Sequence, residues 1–165
     1  MSTNLSFDIV PVRTIDDLEA TVNLFRAYAK SLDIDLAFQD FENEMATMPG
    51  KYAPPTGEIL LARNSQREPI GCVALRPLGS ADSRCCEMKR LYTLPSVRGL
   101  GLGKALVIEI LNIARSLEYE KIMLDTLPTM KAAIGLYKQV GFVETDAYYD
   151  TPIKETVFFV CLLKK

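Results

Sequence analysis

The residues best suited to chemistry lie in one stretch, Pro95-Ser96-Val97-Arg98-Gly99-Leu100-Gly101-Leu102-Gly103-Lys104-Ala105, between a strand-like run and a helix-like one. Glycines at 99, 101 and 103 let the backbone turn tightly and come close to a ligand. The helix that follows offers unpaired N–H groups and a positive dipole end, and Arg98 and Lys104 add formal charge. These features together describe a site for a phosphate or pyrophosphate. The other reading, a glycine-rich helix start that binds nothing, stays open on the loop alone. Two familiar phosphate loops do not match. The Walker pattern requires Gly and Ser or Thr where this chain has Arg98 and Ala105, and the dinucleotide fingerprint requires G-x-G-x-x-G where the spacing here is G-x-G-x-G.

The remaining inventory narrows the chemistry. The 165 residues include no His, so acid–base work falls to carboxylates, Tyr, Cys, Lys or water. The four Cys, at 72, 85, 86 and 161, form no C-x-x-C pair, so no zinc-type site and no metal is expected, and they read as reduced thiols packed in strands. With 19 basic against 21 acidic side chains and a net charge of -2, the chain has no broad positive field for nucleic acid. Neither a signal-like start nor an apolar run of spanning length is present, so a cytoplasmic protein with no membrane partner is expected. The length fits one domain over 1–165, which can bury about 70% of its unfolded surface without staples.

Positioning these residues falls to a regular succession of elements. Residues 7–12 alternate like a strand, and Thr14 caps a helix with Asp16 and Asp17 in its first turn and Leu18, Val22, Phe25, Ala29 and Leu32 at helical spacing. A shorter helix carries Phe38, Phe41, Met45 and Met48 before Pro49-Gly50. Residues 57–62 and 70–75 read as a hairpin, and a third strand covers about 84–93. Leu102, Leu106, Ile110, Ile113 and Leu117 mark a long amphipathic helix, followed by a short buried strand at 122–124. Pro128 opens a helix with Met130, Ala133, Ile134, Tyr137 and Val140 on one stripe, closed by Gly141, and two final strands end at 157–163. This order predicts an α/β (α+β) single domain, a mixed, mostly antiparallel sheet of about six to seven strands with about four flanking helices.

Arg98-x-x-Gly101-x-Gly103 resembles the R-x-x-G-x-G motif of the GNAT superfamily of N-acetyltransferases, which bind acetyl-CoA. Leu91-Tyr92-Thr93-Leu94-Pro95 resembles the family's fourth strand and its exit, and Ala133-Ile134-Gly135-Leu136-Tyr137-Lys138-Gln139-Val140-Gly141-Phe142 is similar to its A-x-x-L-Y-x-x-x-G-F segment. The likeness spans most of the chain, and the motifs keep the family's order and separation.

The resemblance implies a V-shaped opening between the fourth and fifth strands, in which backbone groups near Leu91 and Thr93 hold the pantetheine arm as a pseudo-strand. The pyrophosphate would rest on N–H groups from Gly99 to Lys104, and an N–H near Leu91 would stabilise the oxyanion. The implied acetyl-CoA contacts are Leu91, Tyr92, Thr93, Arg98, Gly99, Leu100, Gly101, Leu102, Gly103, Lys104 and Thr126. Tyr137 stands where the family's phenol reaches the CoA sulfur, although its place on the apolar stripe also fits a core tyrosine. Glu87 is the candidate base, with a surface pairing to Lys89 or Arg63 as the alternative, and Asp125 is second. Many members carry Asn where this chain has Met130, so that hydrogen bond is missing and Thr126 or Thr129 would replace it.

The expected reaction is transfer of acetyl from acetyl-CoA to an amine by direct attack. A covalent route through Cys85 or Cys86 lacks an activating histidine. A non-catalytic acyl-CoA-binding or sensor domain is the alternative from another class. Asp33, Asp35, Asp40, Glu42 and Glu44, with no Lys or Arg over 31–50 until the segment ends, suggest a cationic acceptor, unless they are only a solvated face. Tyr148-Tyr149-Asp150-Thr151-Pro152 reads as a turn that closes the acceptor pocket or packs over the sheet, and the apolar last strand offers an edge for a homodimer.

Overall fold

The computed structural model describes residues 5–32, 35–36 and 40–163. Strand β1 (Phe7–Pro11) leads into α1 (Ile15–Ser31), where the Thr14 hydroxyl accepts from Asp17 N at 3.1 Å as the capping sequence predicts. Helix α2 (Phe41–Ala46) has six residues, under two turns and shorter than the apolar spacing suggests, and Phe38 of that stripe lies outside the described residues. Strands β2 (Glu58–Asn64), β3 (Pro69–Leu78) and β4 (Cys85–Thr93) follow, then α3 (Leu102–Ser116), β5 (Lys121–Thr126), α4 (Lys131–Gln139), β6 (Val143–Thr145) and β7 (Val157–Leu162).

Among the described residues the strands form one seven-stranded sheet in the order β1-β2-β3-β4-β5-β7-β6, in which only β4 and β5 pair in parallel. A parallel neighbour requires a crossover, which α3 supplies. Alternation along the strands then divides the core. Leu60, Val73 and Leu75 pack on the α3 and α4 side with Leu106 and Ile110, while Leu61, Cys72 and Ala74 face Leu24 and Phe25 of α1. The expected homodimer edge is corrected here: β7 lies between β5 and β6 and pairs with both, because β6 folds back onto it through Val143↔Val160 and Thr145↔Phe158. Among the described residues no helix is long and apolar enough to cross a membrane.

Candidate active site

The cleft follows from where strand pairing stops. β4 and β5 keep register through Cys85↔Lys121, Cys86↔Ile122 and Glu87↔Met123 only, after which β4 follows β3 to Thr93↔Gly71 and β5 follows β7 to Thr126↔Val157. The two strands therefore part, and from Met88 onward β4 has no strand neighbour on its β5 side. A β-bulge re-aims β4 at the same place. Ala74 faces Lys89 and Cys72 faces Tyr92, so Val73 alone opposes both Arg90 and Leu91. Arg90 takes a left-handed φ of 60°, held by two contacts to the Glu44 carboxylate at 3.1 and 3.2 Å and by the Phe41 ring at 5.3 Å. The sequence reading contains no sign of this bulge.

At the mouth of the opening, Gly99 and Gly101 have φ of +80° and +89°, a region that side chains with a Cβ avoid. A Cβ at either would meet nothing within 4 Å, so their outer faces are bare. Gly101 caps α3, and the Ala105 N–H is the first to bond back, to Gly101 O at 3.1 Å. The N–H groups of Leu102, Gly103 and Lys104 thus stand free of the helix ladder. The Leu102 side chain is core, so its contribution to a ligand is backbone alone, whereas Leu100 and Lys104 are exposed. A cavity of about 570 Å³ runs from this turn past Tyr92, Thr93 and Leu91 to Thr129 and Met130. Arg98 is partly committed: it donates to Thr93 O at 3.2 and 3.3 Å and lies 5.7 Å from the Tyr92 ring, fastening the turn to β4. Lys131, at the start of α4, is an exposed cation on the same cavity that the sequence reading missed.

Tyr137 is a core tyrosine that also lines a cavity. Its ring is core, edge-on to Phe142 at 5.7 Å and tilted against Phe159 at 6.2 Å. Its hydroxyl has no hydrogen-bond partner among the described residues. No enclosed side-chain N or O there lacks a partner, so this hydroxyl opens onto the cavity it lines with Leu91, Leu124, Thr126 and Met130. Burial raises its pKa and keeps the phenol protonated at neutral pH. Tyr28 of α1 lines both cavities and was missed, although it is three residues after Phe25 on the buried stripe; burial pushes its phenol up to about 12. Met130 caps α4 without a side-chain bond, as expected for a residue that replaces Asn, and Thr126 lies buried at the end of β5.

The opposite wall is a network of ions. Glu87 is only 1% exposed, which corrects the surface-pair alternative. Its partner is Arg76, at 2.8 Å, because β3 places Arg76 directly across from it, while Arg63 pairs with Asp17 and Lys89 faces Asp125. The other Glu87 oxygen accepts from Tyr148 at 2.5 Å, and Asp125 accepts from Tyr149 at 2.6 Å. Burial and the adjacent carboxylates hold both phenols protonated. Tyr148 and Tyr149 each also meet Phe158, so the turn before β7 both packs on the sheet and lines the cavities. Among the described acids of the run, Glu44 lines the cavity it shares with Glu87 and Tyr148. Glu42 pairs with Arg26, Glu44 with Arg90, and Asp35 and Asp40 line a separate recess beside Arg26; Asp33 lies outside the described residues.

Among the described residues the sheet parts between its parallel pair β4 and β5, with a glycine-led helix start at the mouth and a protonated phenol inside. The chain matches the family model described as Acetyltransferase (GNAT) family over residues 18–142. It is 41% identical over 153 residues to an uncharacterized N-acetyltransferase of Schizosaccharomyces pombe, covering 93% of each chain. It is 28% identical to an uncharacterized N-acetyltransferase of Dictyostelium discoideum, over 93% of this chain and 98% of that one. Its structure superposes on a GNAT-family acetyltransferase of Staphylococcus aureus with a TM-score of 0.79 at 20% identity, covering 96% of this chain and 100% of that one. The chain belongs to the GNAT family and is an N-acetyltransferase.

Proposed function

We propose that the protein transfers acetyl from acetyl-CoA to an amine by direct attack within the β4–β5 opening. The observation that carries this is the Tyr137 hydroxyl, unbonded and facing the gap where β4 loses its strand neighbour. The glycine turn fits the cosubstrate, since Gly99 and Gly101 leave their outer faces bare and three helix N–H groups stand unpaired beside Lys104. Acetyl-CoA supplies the acetyl thioester. The N–H groups from Leu102 to Lys104, with Lys104, Lys131 and the free part of Arg98, hold the pyrophosphate, while the unpaired side of β4 from Leu91 to Thr93 and the Thr126 hydroxyl hold the pantetheine arm. An N–H just past the bulge, near Leu91, polarises the carbonyl, and Tyr137 supplies the proton taken by the departing thiolate.

On the acceptor side, Glu87 and Asp125 each already accept a tyrosine hydroxyl, so the amine's proton reaches them through a hydroxyl or a water. Burial raises all four thiols, which supports direct attack over an acetyl-cysteine. The test is thiol release from acetyl-CoA across an amine panel, with CoA affinity measured in parallel by calorimetry. Acceptor-dependent release is expected. Tight binding with no release for any amine would favour a non-catalytic acyl-CoA sensor, and no binding would overturn the proposal.

A further inference from the structure

Resting on that reading, we infer that the acceptor amine carries a carboxylate, which Lys89 receives. The cavity of about 290 Å³ on the acceptor side is lined by the carboxylates of Glu44, Glu87 and Asp150 and by three cations, Arg76, Lys89 and Arg90. Two are committed: Arg76 to Glu87 at 2.8 Å, and Arg90 to Glu44 at 3.1 Å. Lys89 differs. Its side chain is 6% exposed and forms an ion pair with Asp125 at 3.6 Å, too long for a hydrogen bond, and no hydrogen-bond acceptor engages its ammonium among the described residues. Asp125 itself is already bonded by Tyr149. A buried ammonium with three donors and no hydrogen bond is costly, so its Nζ opens onto cavity space rather than into packed protein. It lines both the acceptor-side cavity and the pocket that holds Tyr137, and so joins the two.

Alternation from Glu87 places Lys89 on the face toward Glu44 and Tyr149, and the bulge brings Arg90 to that face too, where ordinary alternation would send it to the other. Glu87, two residues earlier on that face, fixes Arg76 and Tyr148 and so shapes the cavity without occupying it. An α-amino acid would set its carboxylate on Nζ and its amine, one carbon away, toward the acetyl site. The cavity suits a small acceptor rather than a folded protein surface.

The test compares each standard amino acid with its own carboxamide as acceptor in the thiol-release assay, for wild type, Lys89→Met and Lys89→Arg. Wild type should prefer the acid by about 10- to 100-fold in kcat/KM, carried by KM. Lys89→Met should collapse that ratio and Lys89→Arg should keep part of it. A parallel calorimetric titration measures N-acetyl amino acids and their amides on the CoA-loaded wild type and Lys89→Met, a readout independent of turnover. If amines are acetylated but acid and amide perform alike, or if Lys89→Met keeps the preference, the inference fails while the acetyl-transfer reading stands. If nothing is acetylated but the acid still binds in preference and through Lys89, the carboxylate site stands and the reading fails. Equal wild-type binding of acid and amide, with no acetylation, overturns both.

Discussion

Replacing Tyr137 with Phe separates packing from chemistry at a single atom. The ring contacts to Phe142 and Phe159 are unchanged by the substitution, so the apolar burial that α4 contributes is retained. The hydroxyl has no hydrogen-bond partner among the described residues, so its removal strands no buried donor or acceptor. Stability should therefore stay within about 1 kcal/mol of wild type, a shift in Tm of roughly 2–4 °C at most for a chain of this size. Turnover should fall by about a hundredfold or more, the usual contribution of a positioned acid, which corresponds to about 2.7 kcal/mol in the barrier. The assay is acceptor-saturated thiol release, with melting curves and CoA calorimetry on the same preparations. A variant with unchanged kcat would refute Tyr137 as proton donor. A variant that melts many degrees lower would refute the claim that its hydroxyl is unbonded.

Gly101→Ala forces a residue with a Cβ to φ +89°, which should cost about 1–2 kcal/mol in stability and weaken CoA binding at least about tenfold, with kcat at saturating CoA much less affected; calorimetry and melting curves check both. Glu87→Gln removes the charge that fixes Arg76 and leaves one acceptor oxygen for the two donors Arg76 and Tyr148, so it should lower stability by about 1–3 kcal/mol, discounted because Arg76 is partly exposed, and should lower kcat; unchanged denaturant midpoints would contradict the buried pairing. Tyr28, raised to about 12 by burial, keeps its proton when folded at a pH where the unfolded chain has lost it. Its contribution to stability is complete below pH 10 and lost as pH rises toward about 12, so Tyr28→Phe should lessen the alkaline decline seen in chemical denaturation.

The glycine turn was legible because its requirement is local: positive φ, bare outer faces and a helix start are all written in residues 98–104. Helices α1, α3 and α4 were legible from their 3.6-residue stripes, and the succession of strands along the chain from the short apolar runs. What escaped depends on register between distant segments. The bulge at Arg90 arises from the pairing of β3 with β4, and no composition rule distinguishes Lys89-Arg90 from any two strand residues. Glu87 could be placed on the right strand but not paired, because its partner Arg76 is set by an antiparallel register across the intervening loop. The acids over 33–44 looked like a solvent-facing field, yet Glu44 reaches 46 positions along the chain to hold Arg90. Placing the last strand inside the sheet likewise required knowing that β6 returns along it.

The central claim is that the acetyl carbon passes directly from the CoA thioester to an acceptor nitrogen in this cleft. The most direct measurement supplies acetyl-CoA labelled in the acetyl carbon with an amino acid acceptor, then follows acceptor and intact protein by mass spectrometry. The account predicts label on the acceptor nitrogen, one thiol released per label, and no acetylated protein during turnover. Label that accumulates on a cysteine before reaching the acceptor, or CoA that binds and is never consumed, would contradict it.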